Sequence, residues 1–124
     1  MRRFLLALGL LGAAQAQVVI PFWHTAGPPG GAILEEAIRS FHQSQKAYRL
    51  EARYVGDYRE AGVKLLAALR SGNAPVLFHG ELSFLPRLGQ ERVAVPLDPY
   101  LQDLPQDLYP GMMRAVQVQG RTLG

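Results

Sequence analysis

Cysteine is absent from the 124 residues, which removes a disulfide framework, a thiolate nucleophile and any cysteine-ligated zinc site. Charge of one sign is scarce as well. The formal net charge of +3 leans on Arg2 and Arg3; without them Lys+Arg falls from 13 to 11 against 10 Asp+Glu. The remaining cations are scattered along the chain, so no basic footprint for nucleic acid is expected. The longest apolar run, Phe4 to Ala13, is about ten residues where about 20 are needed to span a bilayer. Catalytic and nucleotide motifs are missing too. There is no G-x-S-x-G elbow, since Gly80-Glu81-Leu82-Ser83 lacks the second glycine. There is neither a G-x-G-x-x-G loop nor a Walker lysine. In Gly27-Pro28-Pro29-Gly30-Gly31 the two prolines lack backbone donors that a phosphate cradle requires. His24, His42 and His79 fit no local zinc spacing, so no metal is expected.

What is present is an apolar composition of 48%, enough for about one globular domain with its own core. Residues 1–16 read as a secretory signal: Arg2-Arg3 as charged region, Phe4 to Ala13 as apolar region, and Ala14-Gln15-Ala16 as the small-x-small cleavage site. Cleavage after Ala16 exports a cysteine-free protein to a periplasm-like compartment. Val18 to Trp23 predicts a short buried strand ending in His24-Thr25 and a glycine/proline turn. Ala32 to Lys46 predicts an amphipathic helix with Glu35 and Glu36 in its first turn and His42 solvated. Arg49 to Val55 alternates as a half-exposed strand. Asp57 is positioned to cap a helix over Tyr58–Ser71, which Gly72-Asn73 ends and Pro75 blocks. Val76 to Phe78 predicts a further short buried strand.

The order strand, helix, strand, helix, strand with short loops predicts an α/β fold with a parallel sheet and right-handed crossovers. Ser83 to Gly89 predicts a short helix and Val93 to Val95 an edge segment. A polar, proline-spaced stretch follows to Pro110. Met112 to Val118 alternates toward a hairpin turn at Gly120. Because the expected second strand of that hairpin is missing before Gly124, the chain reads as the N-terminal part of a longer frame.

Ligand groups in open α/β sheets sit past the carboxyl ends of the strands. Trp23 at such an end offers a flat apolar face, Tyr58 a hydroxyl on an apolar body, and Glu81 an acceptor pair. Each has a plainer alternative: core filling for Trp23, helix-end packing for Tyr58 and a solvated charge for Glu81.

Three segments, Ile20-Pro21-Phe22-Trp23-His24, Tyr54-Val55-Gly56-Asp57-Tyr58 and Arg70-Ser71-Gly72-Asn73-Ala74-Pro75, resemble the family 1 extracellular solute-binding proteins of ABC importers. The resemblance is nearest to the glycerol-3-phosphate/glycerophosphodiester-binding subgroup and runs from Val18 to Asp98. It implies an α/β lobe of a two-lobed type II periplasmic-binding-protein fold, with helices on both faces of a mostly parallel sheet, here residues 17–124 without the second lobe. It implies a monomer that binds a small polar solute, a glycerol phosphate, a glycerophosphodiester or a sugar, and hands it to membrane permease subunits, with no cofactor and no catalytic step. It assigns ligand contact to Tyr58 and, across a one-residue gap, to Glu81. His24 and Trp23 belong to the shared motif as secondary candidates. With one lobe alone, weak binding is expected. The rival is a secreted hydrolase of phosphodiesters or sugars built on His24, His79 and Glu81, distinguishable because it consumes its substrate; a non-functional fragment is the blandest alternative.

Overall fold

The computed structural model describes residues 16–102 and 109–124. The expected signal at residues 1–16 lies outside them except for Ala16, as does the proline-spaced stretch between residues 103 and 108. Strand β1 (Val18–His24) leads into helix α1 (Gly30–Ser44), strand β2 (Tyr48–Tyr54), helix α2 (Tyr58–Ser71) and strand β3 (Leu77–Phe78). The three strands form one parallel sheet in the order β2-β1-β3, with His24 opposite Tyr54 and Trp23 opposite Phe78. The expected parallel α/β layer is therefore present. Right-handed crossovers that run in opposite directions across a sheet, here β1 to β2 and then β2 past β1 to β3, put their helices on opposite faces.

Helix α2 forms where the sequence predicts it. Asp57 caps it by accepting from the Glu60 amide at 2.8 Å, and Gly72 ends it at φ +71°, a conformation in which a Cβ is unfavourable. Its inward stripe is Ala61, Gly62, Leu65 and Ala68. These small residues admit a close neighbour, and the Phe84 ring fills the space over Gly62.

Several expectations are corrected. Helix α1 begins at Gly30, so its first turn holds no acidic residue and Glu35-Glu36 fall in the second. His42 is not simply solvated: its Nε2 accepts from the Leu50 amide at 3.0 Å and ties α1 to β2. β1 is not buried along its length, since Val18 and Val19 are about half exposed and only His24, at 8%, is buried. β3 is likewise an exposed edge rather than a buried strand, with Leu77 at 45% and Val76 just before it at 69%. Among the described residues each outer strand pairs with β1 alone, and a strand paired on one side keeps an edge open to water. Val93 to Val95 forms no strand.

Beyond β3, a 3₁₀ turn at Leu82–Phe84 runs into α3 (Leu85–Gln90), a second such turn covers Asp98–Tyr100, and α4 spans Pro110–Ala115. The residues from Met112 are thus helical first, because Pro110 at the helix start presets the backbone for a turn. The hairpin at Gly120 is complete: β4 (Gln117–Val118) pairs antiparallel with β5 (Arg121–Thr122), so the second strand expected to be missing is there. Asp98 anchors it, accepting from the Thr122 hydroxyl at 2.9 Å and the Thr122 amide at 3.1 Å. Those hydrogen bonds hold the Asp98 carboxyl below its ordinary pKa.

Candidate functional site at the carboxyl edge of the sheet

All three strands point their carboxyl ends to one edge, where the segments after His24, Tyr54 and Phe78 meet. The chain leaves β1 toward β2 on one side and returns to β3 on the other, so the direction of winding reverses between β1 and β3. A reversal of this kind opens a crevice outside the strand ends, the usual ligand position in open α/β sheets. Backbone bonds continue the sheet into it, with the Val55 amide donating to His24 at 3.0 Å and the His79 amide donating to Trp23 at 2.8 Å.

Across the crevice, Thr25 follows β1 and His79 follows β3. The Thr25 hydroxyl lies 3.1 Å from His79 Nδ1, and the Thr25 amide donates to the same nitrogen at 3.5 Å. The imidazole also neighbours Tyr58, the first residue of α2, with ring centroids 6.3 Å apart at 50°. Tyr58 is 50% exposed, so its hydroxyl-bearing ring faces solvent at the rim. Glu81 is exposed at the start of the Leu82–Phe84 turn, where its carbonyl accepts from the Phe84 amide at 3.2 Å. Phe84 packed on Gly62 of α2 couples that turn to the helix that carries Tyr58. Gly56 at φ +103° leaves the space into which the Glu60 side chain folds, and so shapes the β2–α2 loop.

His24 lies below the rim. Its ring is flanked by Phe22 at 5.7 Å and Tyr54 at 6.0 Å, and among the described residues its Nδ1 has no hydrogen-bond partner. Burial lowers its pKa below the ordinary histidine value and nearby His79 adds to the effect, against Glu35 and the Ala26 backbone. A neutral imidazole is what an apolar pocket of this kind favours. Trp23 points to the opposite face by strand alternation. It is half-buried with the Arg53 guanidinium 5.9 Å from its ring, a cation–π contact worth about 0.5–1 kcal/mol.

The structure therefore brings Tyr58 together with His79 and Thr25, sets Glu81 on the adjoining turn, buries His24 beneath them and turns Trp23 toward Arg53. The Thr25–His79 pair is the part that sequence reasoning missed as a unit. Its signal was available: both residues immediately follow strands that the 2-1-3 order makes neighbours. Among the described residues, no group of three His, Asp or Glu side chains is gathered as a metal would require.

No protein-family model matches the chain. Over 72 residues, 58% of this chain, it is 35% identical to the sn-glycerol-3-phosphate-binding periplasmic protein UgpB of Escherichia coli. That match spans 16% of the length of the relative. Among solved structures, CpMnBP1 with mannotriose bound superposes with a TM-score of 0.72 at 27% identity, covering 86% of this chain and 27% of that one. An extracellular solute-binding protein of family 1 from Alicyclobacillus acidocaldarius superposes with a TM-score of 0.79 over 88% of this chain and 28% of that one; at 15% identity this is a likeness of fold. In sequence and in fold the chain thus resembles the family 1 extracellular solute-binding proteins of ABC importers, on the side of the glycerol-3-phosphate-binding subgroup.

Proposed function

We propose that the protein is the solute-capturing component of an ABC importer, acting in the periplasm after cleavage behind Ala16. Residues 17–124 supply one wall of a ligand cleft, and a second lobe supplies the other. The solute is a glycerol phosphate, a glycerophosphodiester or a sugar. Tyr58 stacks on it or donates to it from the rim, and Glu81 accepts from its hydroxyls. His24 supports the rim from below, and Trp23 stiffens the first strand. No bond is made or broken; contacts from two walls favour a closed state that the permease subunits recognise.

The observation that carries this reading is the meeting of Thr25, Tyr58 and His79 at the winding reversal, between loops that belong to the segments resembling solute-binding proteins. The names of the relatives add support from outside: one binds sn-glycerol 3-phosphate and another holds mannotriose. Calorimetric titration of the full gene product with sn-glycerol 3-phosphate, glycerophosphocholine, maltose and mannotriose tests it. Heat with at least one of them, and recovery of that solute unchanged, is the expected result. No heat with any, or conversion of the solute, overturns it.

A further inference from the structure

We propose that His79 is a solute-contacting residue, held by Thr25 in the tautomer that presents Nε2–H as a neutral hydrogen-bond donor into the crevice. The proposal rests on the solute-binding reading above and adds a contact to it. A backbone amide only donates, and the Thr25 amide is directed at His79 Nδ1. That nitrogen must therefore offer a lone pair, and the proton of a neutral ring must sit on Nε2. The Thr25 hydroxyl, 3.1 Å away, then donates to the same lone pair rather than accepting from it.

Orientation is fixed from two further sides. The His79 amide donates to the Trp23 carbonyl at 2.8 Å, so the backbone of His79 extends the sheet beside β1. The ring leans on Tyr58 at 50°. The backbone and Nδ1 are thus both held and the ring has an aromatic neighbour, while the side chain remains exposed. Nε2 makes no side-chain hydrogen bond among the described residues. A donor that is both pre-oriented and unused, beside an exposed tyrosine, suits an oxygen acceptor of the solute, whether a sugar hydroxyl or a phosphoryl oxygen. Because little side-chain freedom is lost on binding, such a contact carries a low ordering cost.

Long-range proton–nitrogen spectra of the imidazoles test the tautomer directly. The expected spectrum has a pyridine-like Nδ1 and a pyrrole-like Nε2 for His79, with the Nε2 resonance moving when sn-glycerol 3-phosphate or mannotriose is added. Three variants of the full gene product then separate the roles. His79→Asn reproduces the Nδ1 position without reaching the crevice, and roughly three- to tenfold weaker binding is expected for one lost neutral hydrogen bond. His79→Gln, whose amide nitrogen reaches the Nε2 position, recovers most of that loss. Thr25→Val removes the hydroxyl and weakens binding by a smaller factor. Circular dichroism establishes that each variant is folded; should any variant unfold, the tautomer and its response to solute in the unaltered protein decide. A pyrrole-like Nδ1, an unresponsive Nε2, or full binding by folded His79→Asn overturns the His79 proposal alone, with the receptor reading intact. Absence of binding by the unaltered protein overturns both.

Discussion

Replacing Gly62 by Ala sets two effects of similar size against each other, and the structure decides between them. At an exposed helix interior, Gly→Ala stabilises by about 1 kcal/mol, because alanine loses less backbone entropy on folding. At Gly62 an added Cβ would lie 2.0 Å from Phe84 Cζ and 2.6 Å from Cε2. Ordinary carbon contacts begin near 3.5 Å, so the ring has to retreat by about 1.5 Å. Overpacking of this kind costs about 1–3 kcal/mol. The net expectation is a destabilisation of about 1 kcal/mol, which lowers Tm by roughly 3–5 °C for a domain of this size. Phe84 closes the turn that begins at Glu81, so its retreat also displaces Glu81, and solute affinity should fall with stability. Thermal denaturation of Gly62→Ala, Phe84→Leu and the double variant, each followed by solute titration, is the assay. The double variant should be more stable than the sum of the single losses predicts, because leucine vacates the space the new methyl needs. A rise in Tm for Gly62→Ala would refute the reasoning, since it would mean the ring does not press on this helix.

The other predictions concern the elements that hold the site. Asp57→Ala should cost about 1 kcal/mol by leaving the Glu60 amide uncapped, read as a lower urea midpoint at constant slope. His42→Ala should cost about 1 kcal/mol and speed hydrogen exchange at the Leu50 amide, which then lacks its acceptor; unchanged exchange there would contradict the α1–β2 tie. Stability should also depend on His24. The folded pKa lies below the ordinary value, so the unfolded chain binds a proton that the folded one resists, and stability is lost as pH falls below about 6.5. His79 and Glu35 are the groups that modulate it. Comparing Tm at about pH 7.5 and about pH 5 should give a larger drop for the unaltered protein than for His24→Phe, and equal drops would contradict the assignment.

Local rules read the sequence well where a single residue type decides the geometry. Asp57, the Ala/Leu stripe and Gly72 bound α2 at the residues found, since capping and positive φ are short-range constraints. The strand–helix alternation likewise sufficed for a parallel sheet. Burial was less legible, because it depends on neighbours. The apolar runs of β1 and β3 read as buried, yet Val18, Val19, Val76 and Leu77 are exposed where the three-stranded sheet has nothing against them. His42 read as solvated because its partner, the Leu50 amide, belongs to the next strand. Pro110 outweighed the alternation after Met112 and turned the segment into helix before the hairpin. At the site, the motifs singled out Tyr58 and Glu81, and the strand-end rule singled out Trp23. The pairing of Thr25 with His79 needed the sheet order, which brings residues 54 positions apart into contact.

The central claim is that solute binds at the winding reversal between β1 and β3. Amide proton–nitrogen spectra of the full gene product, titrated with sn-glycerol 3-phosphate and separately with mannotriose, test it most directly. The resonances of Thr25, Tyr58, His79 and Glu81 are expected to move together along one saturating curve for at least one of the two solutes. Their silence, or a response confined to the hollow of about 130 Å³ beside Arg92 and Arg121, would contradict it.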